Sequence, residues 1–167
     1  MLEIAIEADE EWDSSSSWDL LVRCAAEAAI AESAFPQLAT GQRQVEISVL
    51  LTGDDEVGDL NAEYRGKHQP TNVLSFPMVD PDDLHEANVG DGELLLGDII
   101  LARGVCEAEA ADKGATVEQH AAHLVIHGTL HLLGYDHMED TEAADMEARE
   151  VQALRRLGIA NPYEEAA

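Results

Sequence analysis

Three histidines in the last third of the chain, His127, His131 and His137, have the spacing of metal ligands. Residues four apart on an α-helix point in nearly the same direction, about 6 Å apart along the axis, so the first two imidazoles can reach one ion. Gly134 allows the chain to turn back and present the third. Three protein ligands leave one position for water, as in catalytic zinc sites. The spacing therefore predicts one Zn²⁺ ion, bound on a helix and the turn after it.

Four other polar residues receive separate interpretations. His123 lies one turn before His127 and could contact the substrate, support a ligand or act as general base if it faces the cleft. It could equally be a packed core histidine. Asp136 could orient a ligand imidazole, or cap the turn. His120 and His85 are interpreted as surface residues.

Gly128 argues against a peptidase. In H-E-x-x-H metalloproteases, a glutamate directly follows the first histidine and serves as the general base. Glycine occupies that place here, so the metal spacing is present and the base is not. Hydrolysis of a peptide or a small ester is kept only as an alternative.

Hydrophobic periodicity predicts the elements that must position these residues. Alternating apolar residues predict strands at 2–6 and 45–51, and apolar runs predict strands at 73–76 and 94–101, the last in the middle of the sheet. Helices are predicted after 14–17, after 52–54, and over 103–113, 116–133 and 140–157, with a loop at 79–93. The expected fold is a single α+β domain over 1–167, with a small mixed sheet of about four strands packed with helices.

Charge and cysteine usage restrict the functional classes. Nine Lys+Arg against 35 Asp+Glu give a formal net charge of −26. Such a surface repels polyanions at low salt and is typical of a soluble protein, so no DNA partner is expected. The amino terminus lacks a basic segment and no apolar run has the length of a membrane span, so no membrane association is expected. Two distant cysteines favour a reduced cytoplasm.

Three blocks of the sequence carry a family resemblance. The segment 123–137, HLVIHGTLHLLGYDH, resembles the signature of the YbeY family of bacterial endoribonucleases, the ribosomal RNA maturation factors. The segments LNAEYRGK at 60–67 and PTNVLSFP at 70–77 resemble a second block of that family. LGDII at 96–100 is similar to a third, and the blocks follow in the same order.

The resemblance implies a zinc-binding α+β hydrolase that cleaves single-stranded RNA in the cytoplasm. It implies a role in 16S rRNA processing and ribosome quality control, with ribosomal RNA and the small ribosomal subunit as partners. It carries over His127, His131 and His137 as zinc ligands and Arg65 as a residue implicated in catalysis. One departure is His68, where similar sequences usually have an acid, and it bears on the chemistry of that loop.

The residues themselves are compatible with this role. Arg65, Lys67 and His68 form the densest basic group in the first hundred residues. A guanidinium matches the geometry of a phosphate, so the group is a candidate substrate-binding site. The alternative is a solvated turn stabilised by neighbouring acids.

These observations predict metal-assisted cleavage of an RNA phosphodiester. Arg65 would stabilise charge on the phosphate oxygens, and the general base is left open between metal hydroxide and His123. Two alternatives remain: a non-catalytic ribosome-assembly factor with structural zinc, and a metallohydrolase of another substrate.

Overall fold

The computed structural model describes residues 2–10, 12, 17–66, 71–86, 92–136 and 139–162. The predicted α+β class is confirmed. The elements, in chain order, are β1 (Leu2–Ala8), α1 (Trp18–Ala31), α2 (Gln37–Thr40), β2 (Val45–Thr52), α3 (Asp54–Arg65), β3 (Val73–Pro77), a 3₁₀ helix (Pro81–Glu86), β4 (Leu94–Ala102), α4 (Arg103–Lys113), α5 (Val117–Leu132) and α6 (Asp140–Arg156).

The four strands form one mixed sheet in the order β1-β2-β4-β3. β1, β2 and β4 are parallel, and β3 pairs antiparallel with β4 at the edge. β4 lies between β2 and β3. A central strand that is covered on both faces needs apolar residues at nearly every position, which explains its apolar run. Its predicted central place in the sheet is confirmed.

The two faces of the sheet carry different helices. Ile99 and Leu101 belong to the main core, which also holds the buried residues of α5. Ile100 belongs to a smaller cluster on the other face, with Leu74 of β3 and Val57 of α3. α3 and α5 therefore cover opposite faces of the β3–β4 edge.

α5 is the central helix of the layer on its face. It contacts α1, α4, α6, β3 and β4, and most of its residues are buried. A helix surrounded in this way is apolar nearly all round, and its few polar side chains must find partners inside the protein. The histidines of the predicted metal motif are among them.

Both ends of α5 follow the sequence signals. Thr116 and Gln119 form a reciprocal capping box, in which each side chain accepts the other residue's backbone N–H. At the other end, Gly134 has a φ of 91°, which glycine adopts without steric cost. The predicted helix and the turn after it are confirmed.

Two glycines allow α5 to lie directly on the sheet. A Cβ at Gly97 of β4 would collide with the carbonyl oxygen of Phe76 and would lie 2.7 Å from Leu132 Cδ2. A Cβ at Gly128 of α5 would lie 3.1 Å from Ile99 Cγ2. The position occupied by glutamate in H-E-x-x-H proteases thus faces the sheet in this protein, where a carboxylate would be buried.

Two short helical segments were not predicted. α2 contains four residues, and the 3₁₀ helix lies inside the stretch 79–93 that was predicted as a loop. Neither is long enough to show the 3.6-residue periodicity on which helix prediction depends. Cys24 and Cys106 are free thiols.

Within the described ranges, no helix has the length and apolar character needed to cross a membrane.

Gly97→Ala should lower the free energy of unfolding by about 2–3 kcal/mol, because backbone of β3 and a side chain of α5 occupy the added volume. Gly114→Ala is the matched control, since Gly114 also has a positive φ but nothing within 4 Å of the added carbon. It should cost about 1 kcal/mol. Urea denaturation of both variants measures the difference, and equal losses would contradict the close packing of α5 on the sheet.

Candidate metal centre

His127 and His131 face each other on the last two turns of α5. Their Nε2 atoms are 3.0 Å apart, and their ring centroids are 4.5 Å apart with the planes nearly perpendicular. Both side chains are partly exposed, unlike most of the helix around them. The two imidazoles thus face each other, as the helix spacing requires, and their role as metal ligands stays a prediction.

The other nitrogen of His131 is held by the turn that follows the helix. Its Nδ1 lies 2.8 Å from the backbone oxygen of Tyr135. A carbonyl oxygen only accepts hydrogen bonds, so Nδ1 is the nitrogen that carries the proton. Tyr135 is itself fixed, because its hydroxyl accepts a hydrogen bond from Ala34 N at 2.9 Å and Arg149 lies over its ring.

The other nitrogen of His127 is held by Glu150 of α6. The Nδ1–Oε1 distance is 2.7 Å, and the same oxygen lies 3.2 Å from His123 Nε2. Glu150 is 1% exposed. Burial by itself raises the pKa of this carboxyl, but the hydrogen bonds from His123 and His127 outweigh that effect and bring the pKa to about 2. An ionised carboxylate only accepts, so His127 also carries its proton on Nδ1.

These two hydrogen bonds determine what the facing Nε2 atoms can do. In neutral rings protonated at Nδ1, both Nε2 atoms present lone pairs, and two lone pairs 3.0 Å apart repel each other unless a cation lies between them. At the usual Zn–N distance, two ligands of a tetrahedral zinc ion are about 3.3 Å apart, so a small opening of the pair accommodates the ion. Glu150 and the Tyr135 carbonyl supply the supporting hydrogen bonds that metal-bound histidines commonly make. The chemistry of these donors fits a zinc ion.

The third predicted ligand, His137, lies outside the described residues. Among the described residues, no group of three His, Cys, Asp or Glu side chains is placed to hold a metal ion. A complete ligand set therefore stays a prediction. Asp136 is exposed, and its role in orienting a ligand also stays a prediction, since Glu150 and the Tyr135 carbonyl orient His127 and His131.

The predicted substrate-binding group lies mostly beyond the described part of the chain. Arg65 is the last residue of α3, and only its backbone position is described. Lys67 and His68 lie outside the described residues. The chain resumes before β3, where Asn72 Nδ2 donates a hydrogen bond of 3.0 Å to Glu109 of α4. Asn72 therefore makes a structural contact between the start of β3 and α4.

His123 is buried, with 7% of its surface exposed, and contacts Glu150. The condition set for a general base, exposure to the cleft, is not met. Its position behind His127 suits a group that supports a ligand. Its assignment to catalysis stays an untested prediction.

The surface location predicted for His120 is wrong. This side chain is 3% exposed, and its Nε2 lies 2.8 Å from Glu109 Oε1. Burial disfavours the imidazolium form and lowers the pKa of His120 below its ordinary value, although Glu109 opposes the shift. The error arose because α5 is buried on nearly all sides, so a polar residue in it gains no exposed face.

Sequence reasoning missed Glu150, the residue that orients His127. The signal was present in α6, whose buried residues are Met146, Glu150, Ala153 and Leu154. This i, i+4, i+7, i+8 pattern is an apolar helix face with one carboxylate in it. A carboxylate at such a position needs a buried donor, and the two histidines of α5 provide it.

The fold and the histidine pair define an α+β protein with a candidate metal-binding site, and comparison with known proteins gives the family. A family model described as "Endoribonuclease YbeY" matches residues 7–158. The chain belongs to the YbeY family, and the resemblance seen in its three sequence blocks is confirmed.

Individual relatives agree over nearly the whole length. A protein of Rhizorhabdus wittichii named endoribonuclease YbeY is 53% identical over 165 residues, covering 98% of this chain and 97% of that protein. One of Sphingopyxis alaskensis with the same name is 51% identical, with 98% of each chain covered. The solution structure of a Thermotoga maritima protein matches with a TM-score of 0.55 at 24% identity, over 98% of this chain and all of that one. This last likeness concerns the fold.

Glu150→Ala should lower the free energy of unfolding of the metal-free protein by about 3 kcal/mol, because it leaves a buried imidazole N–H without its acceptor. Glu147→Ala removes the same charge from an exposed position of the same helix and should change stability by less than about 0.5 kcal/mol. Urea denaturation in the presence of a chelator measures both. Similar values for the two variants would show that the buried contact does not stabilise the fold.

Proposed function

We propose that this protein is a zinc-dependent, single-strand-specific endoribonuclease of the cytoplasm, acting in 16S rRNA maturation and ribosome quality control. The observation that carries the proposal is the pair of Nε2 atoms on α5, 3.0 Å apart and each backed by a hydrogen bond at Nδ1. Membership in a family described as endoribonucleases supports RNA as the substrate. The rRNA role and the link to the small ribosomal subunit rest on the sequence resemblance.

The proposed roles divide between holding the ion and binding the substrate. His127, His131 and His137 would hold one zinc ion, and Glu150 would keep His127 in the tautomer that can bind it. When bound, zinc supplies a Lewis acid beside the scissile phosphate and lowers the pKa of water towards ~7. Arg65 would contact the phosphate and stabilise the negative charge that develops on its oxygens.

The acidic surface requires that RNA binding be local. With a formal net charge of −26, the protein repels a polyanion at long range, and salt screens that repulsion. Contacts from Arg65, Lys67 and His68 can then decide the orientation of the phosphate. Cleavage should therefore tolerate moderate salt better than cleavage by a basic nuclease does.

Two other functions remain as alternatives. One is a ribosome-assembly factor in which zinc is only structural. The other is a metallohydrolase of a different substrate. Gly128, which packs against Ile99, disfavours a peptidase of the H-E-x-x-H type. Assays of RNA and peptide substrates at matched zinc occupancy distinguish the two enzymes.

His127→Ala should abolish stoichiometric zinc binding and RNA cleavage together, because it removes one of the two facing donors. Metal analysis of the purified protein and cleavage of a single-stranded RNA measure the two effects. Glu150→Gln, which keeps the shape of the side chain but removes its charge, should weaken zinc binding by about 10–100-fold in a chelator competition. Equal cleavage by the wild type and His127→Ala would remove the metal from the mechanism.

Arg65→Ala should reduce RNA cleavage by about 100-fold while zinc stays bound, because charge on the phosphate loses its stabilising contact. Arg155→Ala removes an exposed arginine from the last turn of α6 and should leave cleavage unchanged. Complementation of ribosome assembly in cells adds a separate readout. Normal assembly with Arg65→Ala, at full zinc occupancy, would support the non-catalytic alternative.

A further inference from the structure

Tyr64 is an aromatic residue that the fold leaves in solvent. Its relative exposure is 62%, and among the described residues no other aromatic side chain is as exposed. By contrast, Trp12, Trp18 and Phe35 are buried in the core. The ring of Tyr64 packs on one side against Phe76, with the centroids 5.1 Å apart and the planes tilted by 58°. Phe76 thus supports the ring while much of its surface stays accessible.

The aromatic pair adjoins the proposed phosphate-binding residue Arg65, on the face of the sheet that α3 covers. Tyr64 directly precedes Arg65 at the end of α3. Phe76 belongs to the edge strand β3, and its carbonyl oxygen lies at Gly97, against which Leu132 of α5 also packs. Leu132 directly follows His131. The aromatic pair and the histidine pair therefore lie on opposite faces of the β3–β4 edge, and an RNA strand that contacts both would cross the edge strand β3.

The charge of the protein favours a neutral contact for an RNA ligand. Most nucleic-acid-binding surfaces gain affinity from lysine and arginine on phosphates, and this chain has only nine such residues against 35 acids. Stacking of a base on an aromatic ring contributes about 1–3 kcal/mol per base and requires no positive charge. Bases are available for it only where the strand is single, because a duplex keeps them stacked inside.

We infer that Tyr64, supported by Phe76, is a stacking platform for one base of a single-stranded RNA whose neighbouring phosphate is bound at Arg65. The inference rests on the proposed endoribonuclease function and adds a substrate-binding residue to it. A preference for single-stranded RNA then follows, because a base can stack on Tyr64 only if it is not already stacked inside a duplex.

The test compares two substitutions at one position in the zinc-loaded full-length protein. Tyr64→Leu keeps an apolar contact with Phe76 but removes the aromatic face, and it should raise the KM for a single-stranded RNA about tenfold with kcat within a factor of two. Tyr64→Phe keeps the face and should match the wild type. Leu20→Ala, at a position with the same 62% exposure on α1, should also match it. Thermal unfolding verifies that each variant is folded.

A second readout separates stacking from charge. Because stacking releases no counterions, the KM of Tyr64→Leu should exceed that of the wild type by the same factor at every salt concentration. Arg65→Ala serves as the contrast, because it removes a positive charge from the phosphate and its KM defect should shrink as the salt concentration rises. In the wild type, 2-aminopurine at the stacked position of the RNA should lose fluorescence on mixing, and this quenching should be absent with Tyr64→Leu.

The outcomes distinguish failure of this inference from failure of the proposed function. If the wild type cleaves RNA and Tyr64→Leu has an unchanged KM, the stacking platform is wrong and the endoribonuclease stands. Equal defects in Tyr64→Leu and Tyr64→Phe would assign the effect to the hydroxyl and would also overturn stacking. If zinc-loaded wild type neither binds nor cleaves single-stranded RNA, both proposals fail. A surface that serves a protein partner instead would leave every RNA readout unchanged.

Discussion

The hydrogen bond from His127 Nδ1 to the buried carboxylate of Glu150 is the contact on which the candidate site depends. It places the proton on one ring nitrogen and leaves the other, Nε2, as an acceptor. The Tyr135 carbonyl has the same effect on His131. Two acceptors that face each other are favourable only with a cation between them. The hydrogen bonds at the two Nδ1 atoms therefore make the space between the two Nε2 atoms suitable for a metal ion.

The rest of the fold keeps this contact in place. Glu150 comes from α6 and the two histidines from α5, so their distance depends on how the two helices pack. α5 lies close to β3 and β4 because Gly97 and Gly128 present no side chain at the points of closest approach. That packing also brings the histidine end of α5 towards the edge strand that carries Phe76. The same two glycines therefore position the metal pair and its approach to the proposed RNA-binding surface.

Much of the fold could be predicted because its signals are local. The strands from Leu2 and Val45 show alternating burial, β4 shows the apolar run of a central strand, and α5 has a capping box at its start and a glycine after its end. Each signal depends on residues a few positions apart. The short helix α2 lacks such a signal. The burial of His120 depends on the elements packed around α5, which periodicity in one segment does not describe.

The sequence by itself determined the spacing of the histidines on one helix face, the turn at Gly134 and the family, because helix geometry relates residues i and i+4 without any further contact. Tertiary structure decided which nitrogen of each ring is available. That choice depends on Glu150, which is 23 residues from His127 in sequence and 2.7 Å from it in space. Tertiary structure also places the exposed ring of Tyr64 against a second aromatic ring, because the contact with Phe76 joins the helix α3 to the edge strand β3. Local spacing fixes directions along one element, whereas proton positions and exposure are set by the elements packed around it.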